Sequence, residues 1–149
     1  MRKNYKNTTI AITFIWIGFI GAISFMEAWL KFQAPGVTTE IGLSVGKLVF
    51  NALNKVEITF GLLLLFTSVK ETKNRQTRLI FLSIPLFILI AQTLWLLPAL
   101  DQRAQFIIQG ADVPKSRLHL WYVVLEMIKV TSLIIFGIKH LKISTNENR

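Results

Sequence analysis

The chain of 149 residues has no cysteine. That excludes disulfides, thiolate metal sites and thiol redox chemistry, so any acid–base or metal chemistry falls to His, Asp and Glu. Acidic residues are also scarce, 8 Asp+Glu against 17 Lys+Arg, and charged residues make up 17% of the chain, against roughly 25% in an average protein. What is abundant is apolar: 52% of the residues are hydrophobic and the mean hydropathy is +0.51. A soluble domain of this size cannot bury that much apolar surface. The composition therefore points to an integral membrane protein with room for about four spanning helices of about 20 residues and none for a separate soluble domain. No internal repeat, linker or low-complexity segment divides the chain, so residues 1–149 read as a single transmembrane domain.

Four spans follow from the apolar runs, at about 9–30, 41–69, 79–100 and 118–138, which makes the expected fold an all-α, polytopic four-helix bundle. The first run ends near Glu27. The second is the most interrupted, with Lys47, Asn51, Asn54, Lys55 and Glu57 in one half and an unbroken stretch from Ile58 to Val69 in the other. The third carries Gln92 as its one strongly polar side chain and Pro85 as an expected kink. The fourth carries Glu126 and Lys129. The ends, Met1 to Asn7 and Ser144 to Arg149, read as disordered.

The net charge of +9 would suggest nucleic acid in a soluble protein, but in a membrane protein basic residues set orientation, and no nucleic-acid partner is expected. Arg2, Lys3 and Lys6 precede the first span, Lys70, Lys73, Arg75 and Arg78 join the second to the third, and Lys139, Lys142 and Arg149 follow the last. These ten face Lys31, Lys47, Arg103, Lys115 and Arg117 on the other side. Both termini are thus expected in the cytoplasm. Trp29, Trp95 and Trp121 fall at the opposite helix ends, as an outer aromatic belt would. A secretory signal peptide is the competing reading of the N-terminus, with Ala22-Ile23-Ser24 as a cleavage-like site, but the apolar run is long for such a segment and continues past that site.

Ionisable residues inside spans are costly and mark bundle interiors or wet cavities. Here they concentrate in the outer half: Glu27 on the first helix, Lys47, Asn51, Asn54, Lys55 and Glu57 on the second, Asp101 and Arg103 after the third, His119 and Glu126 on the fourth. The inner half consists of runs such as Leu62 to Phe66 and Leu133 to Phe136, with few polar residues beyond Thr59 and Ser132. The expectation is a polar cup opening outward above an apolar plug, lined by Glu27, Lys47, Asn51, Asn54, Glu57, Asp101, Arg103, His119 and Glu126. At 100° per residue Lys47, Asn51 and Asn54 share a face, and so do His119, Tyr122 and Glu126.

Several readings of this cluster stay open. Glu27 with Lys31 and Glu126 with Lys129 have ion-pair spacings, and a structural network of ion pairs and amides that fixes helix register needs no ligand. Four lysines (Lys31, Lys47, Lys55, Lys129) against four carboxylates (Glu27, Glu57, Asp101, Glu126) equally suit a small zwitterionic or amphiphilic ligand or an ion, and the apolar inner half favours a binding pocket over a pore. A metal site is disfavoured, because the fourth helix separates His119 from Glu126 by about 10 Å and no second intramembrane His is present; His140 is expected to snorkel at the cytoplasmic end. An enzyme acting on a lipid-like substrate would use a carboxylate and His119, but nothing fixes a nucleophile. No cofactor is expected. Expected partners are membrane lipids and a small amphiphile or ion. Gly18 with Ala22 and Gly42 with Gly46 permit close helix packing, within the bundle or in a homo-oligomer.

In the connections, Gln33-Ala34-Pro35-Gly36 reads as a turn and Asp101 to Gly110 as a helical extension ending at Gly110, with Phe106, Ile107 and Ile108 resting on the membrane surface or lidding the cup. The stretches from Ser24 to Glu57, Trp95 to Gly110 and Ser116 to Glu126 resemble a group of small bacterial four-helix membrane proteins without an assigned activity. More distantly, the pattern resembles the transmembrane protein 205-like family, in which an acid and an arginine follow the third helix and a His opens the last. The matching positions are Asp101, Arg103 and His119. The family's acid-Pro-Arg arrangement is replaced here by Pro98-Ala-Leu-Asp101-Gln-Arg103. The resemblance implies a four-helix membrane bundle with a functional outer end and implies no reaction.

Overall fold

The computed structural model describes residues 2–70 and 75–146. Among them are four helices long and apolar enough to cross a membrane: α1 (Tyr5–Gln33), α2 (Thr39–Lys70), α3 (Arg75–Ile108) and α4 (Leu118–Leu141). No strand occurs among the described residues. The fold is the all-α four-helix bundle that the apolar runs dictate. Helical backbone begins at Arg2 and continues after α4 to Asn146, so residues 2–7 and 144–146, read as disordered, are helical. Met1, residues 147–149 and Lys73 lie outside the described residues.

Each connection is set by a few residues. Between α1 and α2, Val37 N–H donates to the Ala34 carbonyl at 3.2 Å around Pro35 and Gly36, whose φ of +82° suits the third position of a tight turn. Thr38 then caps α2 by accepting from Ile41 N–H. At the end of α3, Gly110 (φ +79°) reverses the chain; Gly110 N–H donates to Ile107 and Ala111 N–H to Phe106, each at 3.0 Å, the paired bonds of a Schellman ending. α1 and α3 each pack against both α2 and α4, so α1 stands opposite α3, and α2 opposite α4, across a square.

Two helices widen along the way. α1 is π-helical over Gly21–Glu27 and α3 over Gln92–Leu96. Such turns re-aim side chains and are frequent at functional sites. They place Ser24 and Gln92 on the bundle axis, both buried. At 1.5 Å per residue, α2 and α3 are about 50 Å long against a hydrocarbon thickness of about 30 Å. Trp29, Trp95 and Trp121, 55–61% exposed, encircle the loop end, and an aromatic belt sits at the membrane boundary. α3 runs on past Trp95 to Ile108 at the loop end.

The interior is layered. An apolar core of Trp16, Ile20, Leu64, Leu82, Leu89, Leu133 and Phe136 fills the half toward the termini, and a smaller one, Leu96, Leu97 and Tyr122 with Phe50, Leu100 and Leu125 against it, lies toward the loops. The half expected to be an apolar plug with few polar residues also buries Lys6, Thr9, Thr13, Thr67, Ser68, Arg78 and His140. Thr9, Thr13 and Thr67 donate to carbonyls of their own helices, the arrangement that lets a hydroxyl enter an apolar interior without an interhelical partner. His140, expected to snorkel, is instead 2% exposed, with Nδ1 2.8 Å from the Phe136 carbonyl and its ring 4.2 Å from that of Phe136. Thr59 and Ser132, the polar residues singled out in this half, bond carbonyls of their own helices at exposed positions.

Candidate functional site

Of the nine residues expected to line one cup, all but Arg103 fall into an open pocket with its supporting bonds, a polar ladder or a buried charge network. The pocket, about 290 Å³, lies at the loop end. α1 contributes Ala28, Lys31 and Phe32; α2 contributes Gly42, Leu43, Gly46, Lys47 and Phe50; α3 contributes Leu97, Leu100, Asp101 and Ala104; α4 contributes His119 and Tyr122. Gly42 and Gly46 form the wall that admits α1: a Cβ at Gly42 would overlap the Phe32 ring, and one at Gly46 would stand 2.8 Å from Lys31 Nζ. Lys31 is held by Glu27 Oε2 at 3.2 Å, with the Phe50 and Phe32 ring centroids at 5.2 and 5.5 Å. That pair is self-neutralising. Gly18, by contrast, has nothing within 4 Å of an added Cβ and Ala22 is exposed, so this second small-residue pair takes no part in packing within the bundle.

The shared face of Lys47, Asn51 and Asn54 zips α2 to α3. Lys47 Nζ donates to Gln105 Oε1 at 3.2 Å, Asn51 Nδ2 to Asp101 Oδ2 at 2.7 Å, and Asn54 Nδ2 to Thr93 Oγ1 at 2.8 Å. The first two bonds border the pocket; Asn54 lies deeper, buried. Replacing Asn54 by leucine is expected to cost about 1 kcal/mol, the usual weight of an interhelical hydrogen bond between spans, read as a lowered unfolding midpoint in detergent. An unchanged midpoint would remove Asn54 from the ladder.

Beneath the pocket floor of Leu97 and Tyr122, with Phe50 edge-on to Tyr122 at 5.4 Å, sits the network. Lys129 Nζ lies 2.5 Å from Glu57 Oε1, donates to Gln92 Oε1 at 2.7 Å and lies 3.2 Å from Glu126 Oε1. All three ammonium protons are thereby placed. Trp16 Nε1 donates to the same Glu57 oxygen at 3.0 Å, and Gln92 Nε2 donates to Glu126 Oε1 at 3.2 Å. Every helix contributes a member, and the Lys129–Glu57 pair crosses the diagonal between α4 and α2. None of Glu57, Gln92, Glu126 or Lys129 is more than 1% exposed. Glu126 Oε2 has no hydrogen-bond partner among the described residues. Gln92 lies three residues before Trp95, and Glu126 five after Trp121, so both sit about 5–8 Å along the axis from the tryptophans on the side away from the loops, whereas Leu97, Leu100, Asp101 and Ala104 lie on the loop side of Trp95.

Of the residues named from sequence, the structure thus brings Lys47, Asp101 and His119 to the pocket, Glu27 and Asn51 to its supporting bonds, and Glu57 and Glu126 to the sealed network. Arg103 joins none of these: its Nη2 donates to the Pro114 carbonyl at 2.5 Å and ties down the α3–α4 connection. Lys55 is exposed on the outside of α2. Sequence reasoning missed Trp16. Its signal was present, since Thr9, Thr13, Trp16, Ile20, Ser24, Glu27 and Lys31 recur every three or four residues, the period of one helix face, and a lone indole in a stripe of hydroxyls invites an acceptor. Among the described residues no three His, Asp or Glu side chains are grouped as metal ligands. Comparisons with protein-family models, with curated proteins and with solved structures found no match to this chain.

Proposed function

We propose that this chain is a multi-pass protein of a bacterial inner membrane, with both termini cytoplasmic, whose outward-facing loop-end pocket binds a small amphiphile with a zwitterionic head. The observation that carries this reading is the pairing of Lys47 and Asp101 in one pocket whose other walls are largely apolar. The Lys47 ammonium meets a neutral amide oxygen and the Asp101 carboxylate a neutral amide N–H, so neither forms an ion pair with a described residue and each can offer its charge to a ligand. Phe32, Phe50, Leu97 and Leu100 offer the apolar body its surface. Binding is favoured over passage because Tyr122, Leu96 and Leu97 close the floor. The basic residues at the terminal end of the bundle, including Lys70, Arg75 and Lys139, support the orientation. Two of the three positions of the distant family pattern, Asp101 and His119, lie in the pocket.

For the deeper residues a different reading has its own support. The three-way grip of Lys129 on Glu57, Gln92 and Glu126 suits a network that fixes helix register rather than one that meets a ligand.

The test is native mass spectrometry of the gently extracted protein with dihexanoylphosphatidylcholine, a short-chain zwitterionic amphiphile. Wild type is expected to retain one adduct, with Lys47→Met and Asp101→Asn each lowering its occupancy about tenfold, the weight of a charge-assisted hydrogen bond, while the unfolding midpoint falls no further than for Asn54→Leu, which removes a ladder bond outside the pocket and should keep the adduct. Equal occupancy in wild type and Lys47→Met, or a bare wild-type chain, would defeat the proposal.

A further inference from the structure

The seam between α2 and α3 that faces away from the bundle axis carries a second cavity, also about 290 Å³. Its walls are apolar, chiefly Ile58, Leu62 and Leu65 of α2 and Leu86, Ile90 and Leu94 of α3. Leu62, Ile90 and Leu94 are each more than half exposed, so this is a groove on the lipid-facing surface. Lys55 stands one turn above it on the same face of α2, since positions 55, 58 and 62 form one helical stripe. Lys55 is exposed, and its ammonium makes no hydrogen bond or ion pair with any described residue. An unpaired cation on a lipid-facing helix is expensive unless it reaches a polar partner at the membrane boundary.

The depth of Lys55 supplies that partner. The Asn54–Thr93 bond sets Lys55 level with Thr93 and Leu94, within a turn of exposed Trp95, which marks the headgroup boundary. From there the groove descends to Leu86, eight residues or about 12 Å of helix, a length that accepts a segment of acyl chain. No acidic side chain lines it, so the seam offers a cation to a phosphate and nothing to a choline or ethanolamine.

We propose that the α2–α3 seam is a binding site for one anionic phospholipid, its phosphate on Lys55 and an acyl chain in the groove between Ile58 and Leu94. The site lies outside the bundle and stands or falls independently of the loop-end pocket.

The test is native mass spectrometry of the full-length protein in detergent with equimolar phosphatidylglycerol and phosphatidylcholine, on wild type, Lys55→Gln and Ile58→Trp. Wild type is expected to hold one phosphatidylglycerol in preference to phosphatidylcholine. Lys55→Gln should lower that preference about fivefold, the weight of one lysine at an anionic lipid surface. Ile58→Trp, which fills the groove from its exposed side, should lower retention of phosphatidylglycerol. Both positions are lipid-facing, so unfolding midpoints should not move. The proposal is overturned if Lys55→Gln keeps the wild-type preference or if Ile58→Trp keeps the adduct. It is equally overturned if wild type is a dimer that either variant dissociates, because a second copy and not a lipid would then cover the seam.

Discussion

Replacing Lys129 by methionine is expected to destabilise the protein by about 3–5 kcal/mol, the cost of leaving buried charge without its partner. Lys129 is the one cation within reach of two carboxylates in the network, and Glu57 and Glu126 are as deeply buried as it is. Methionine matches its length but returns no proton to Glu57, Gln92 or Glu126, so three acceptors lose a donor at once. The carboxylates, not the missing lysine, are the source of the penalty. Adding Glu57→Gln and Glu126→Gln to Lys129→Met should therefore recover most of the loss, since neutral groups of similar shape often replace a buried ion pair at little cost. Unfolding in mixed detergent micelles would measure both steps. A Lys129→Met variant within about 0.5 kcal/mol of wild type, the range of ordinary surface substitutions, would show that the ammonium does not hold the network together.

Trp16→Ala is the second large loss expected, about 3–5 kcal/mol, the usual range when a buried tryptophan is truncated. Trp16 is fully buried against Phe60, with ring centroids 6.5 Å apart, and joins the apolar core to the network through its bond to Glu57. Trp16→Phe separates the two contributions: it keeps most of the packing and leaves Glu57 one donor short, at an expected cost of about 1–2 kcal/mol. If Phe and Ala were equally damaging, the hydrogen bond would carry the effect; if Phe were neutral, Trp16 would serve packing alone.

The helices and their loops were legible in the sequence because each rests on a local signal: an apolar run for a span, Pro35-Gly36 and Gly110 for the reversals. The polar residues were legible as a set but not as an arrangement. Residues on one helix face read correctly, as with Lys47, Asn51 and Asn54, because a regular helix preserves the 100° step between them. Their partners on α3 did not, because the π-helical stretch Gln92–Leu96 shifts the register between Gln92 and Asp101 by an amount that apolar periodicity does not record. Glu57 and Glu126 miss the pocket for a different reason, since they lie about 9–11 Å below Asn51 and His119 along their own helices and beneath the Leu97–Tyr122 floor. His140 was misread for a related reason. A basic residue near a chain end suggests an exposed tail, whereas helical backbone running on to Asn146 keeps the ring inside the bundle against Phe136.

The division between an open pocket and a sealed network is tested most directly by labelling. The chain has no cysteine of its own, so single cysteines give an unambiguous readout with a membrane-impermeant maleimide applied to whole cells. Lys47→Cys, half-buried in the pocket, should label rapidly, and Ala104→Cys, buried in its wall, more slowly but without denaturation. Leu96→Cys, in the floor, and Leu64→Cys, in the apolar core below the network, should stay unlabelled until the protein is denatured. Labelling at Leu64→Cys at the rate seen for Lys47→Cys would mean a continuous aqueous path through the bundle, and protection of Lys47→Cys and Ala104→Cys in cells would mean that the pocket does not open outward; either result would contradict the two-tier arrangement proposed for this protein.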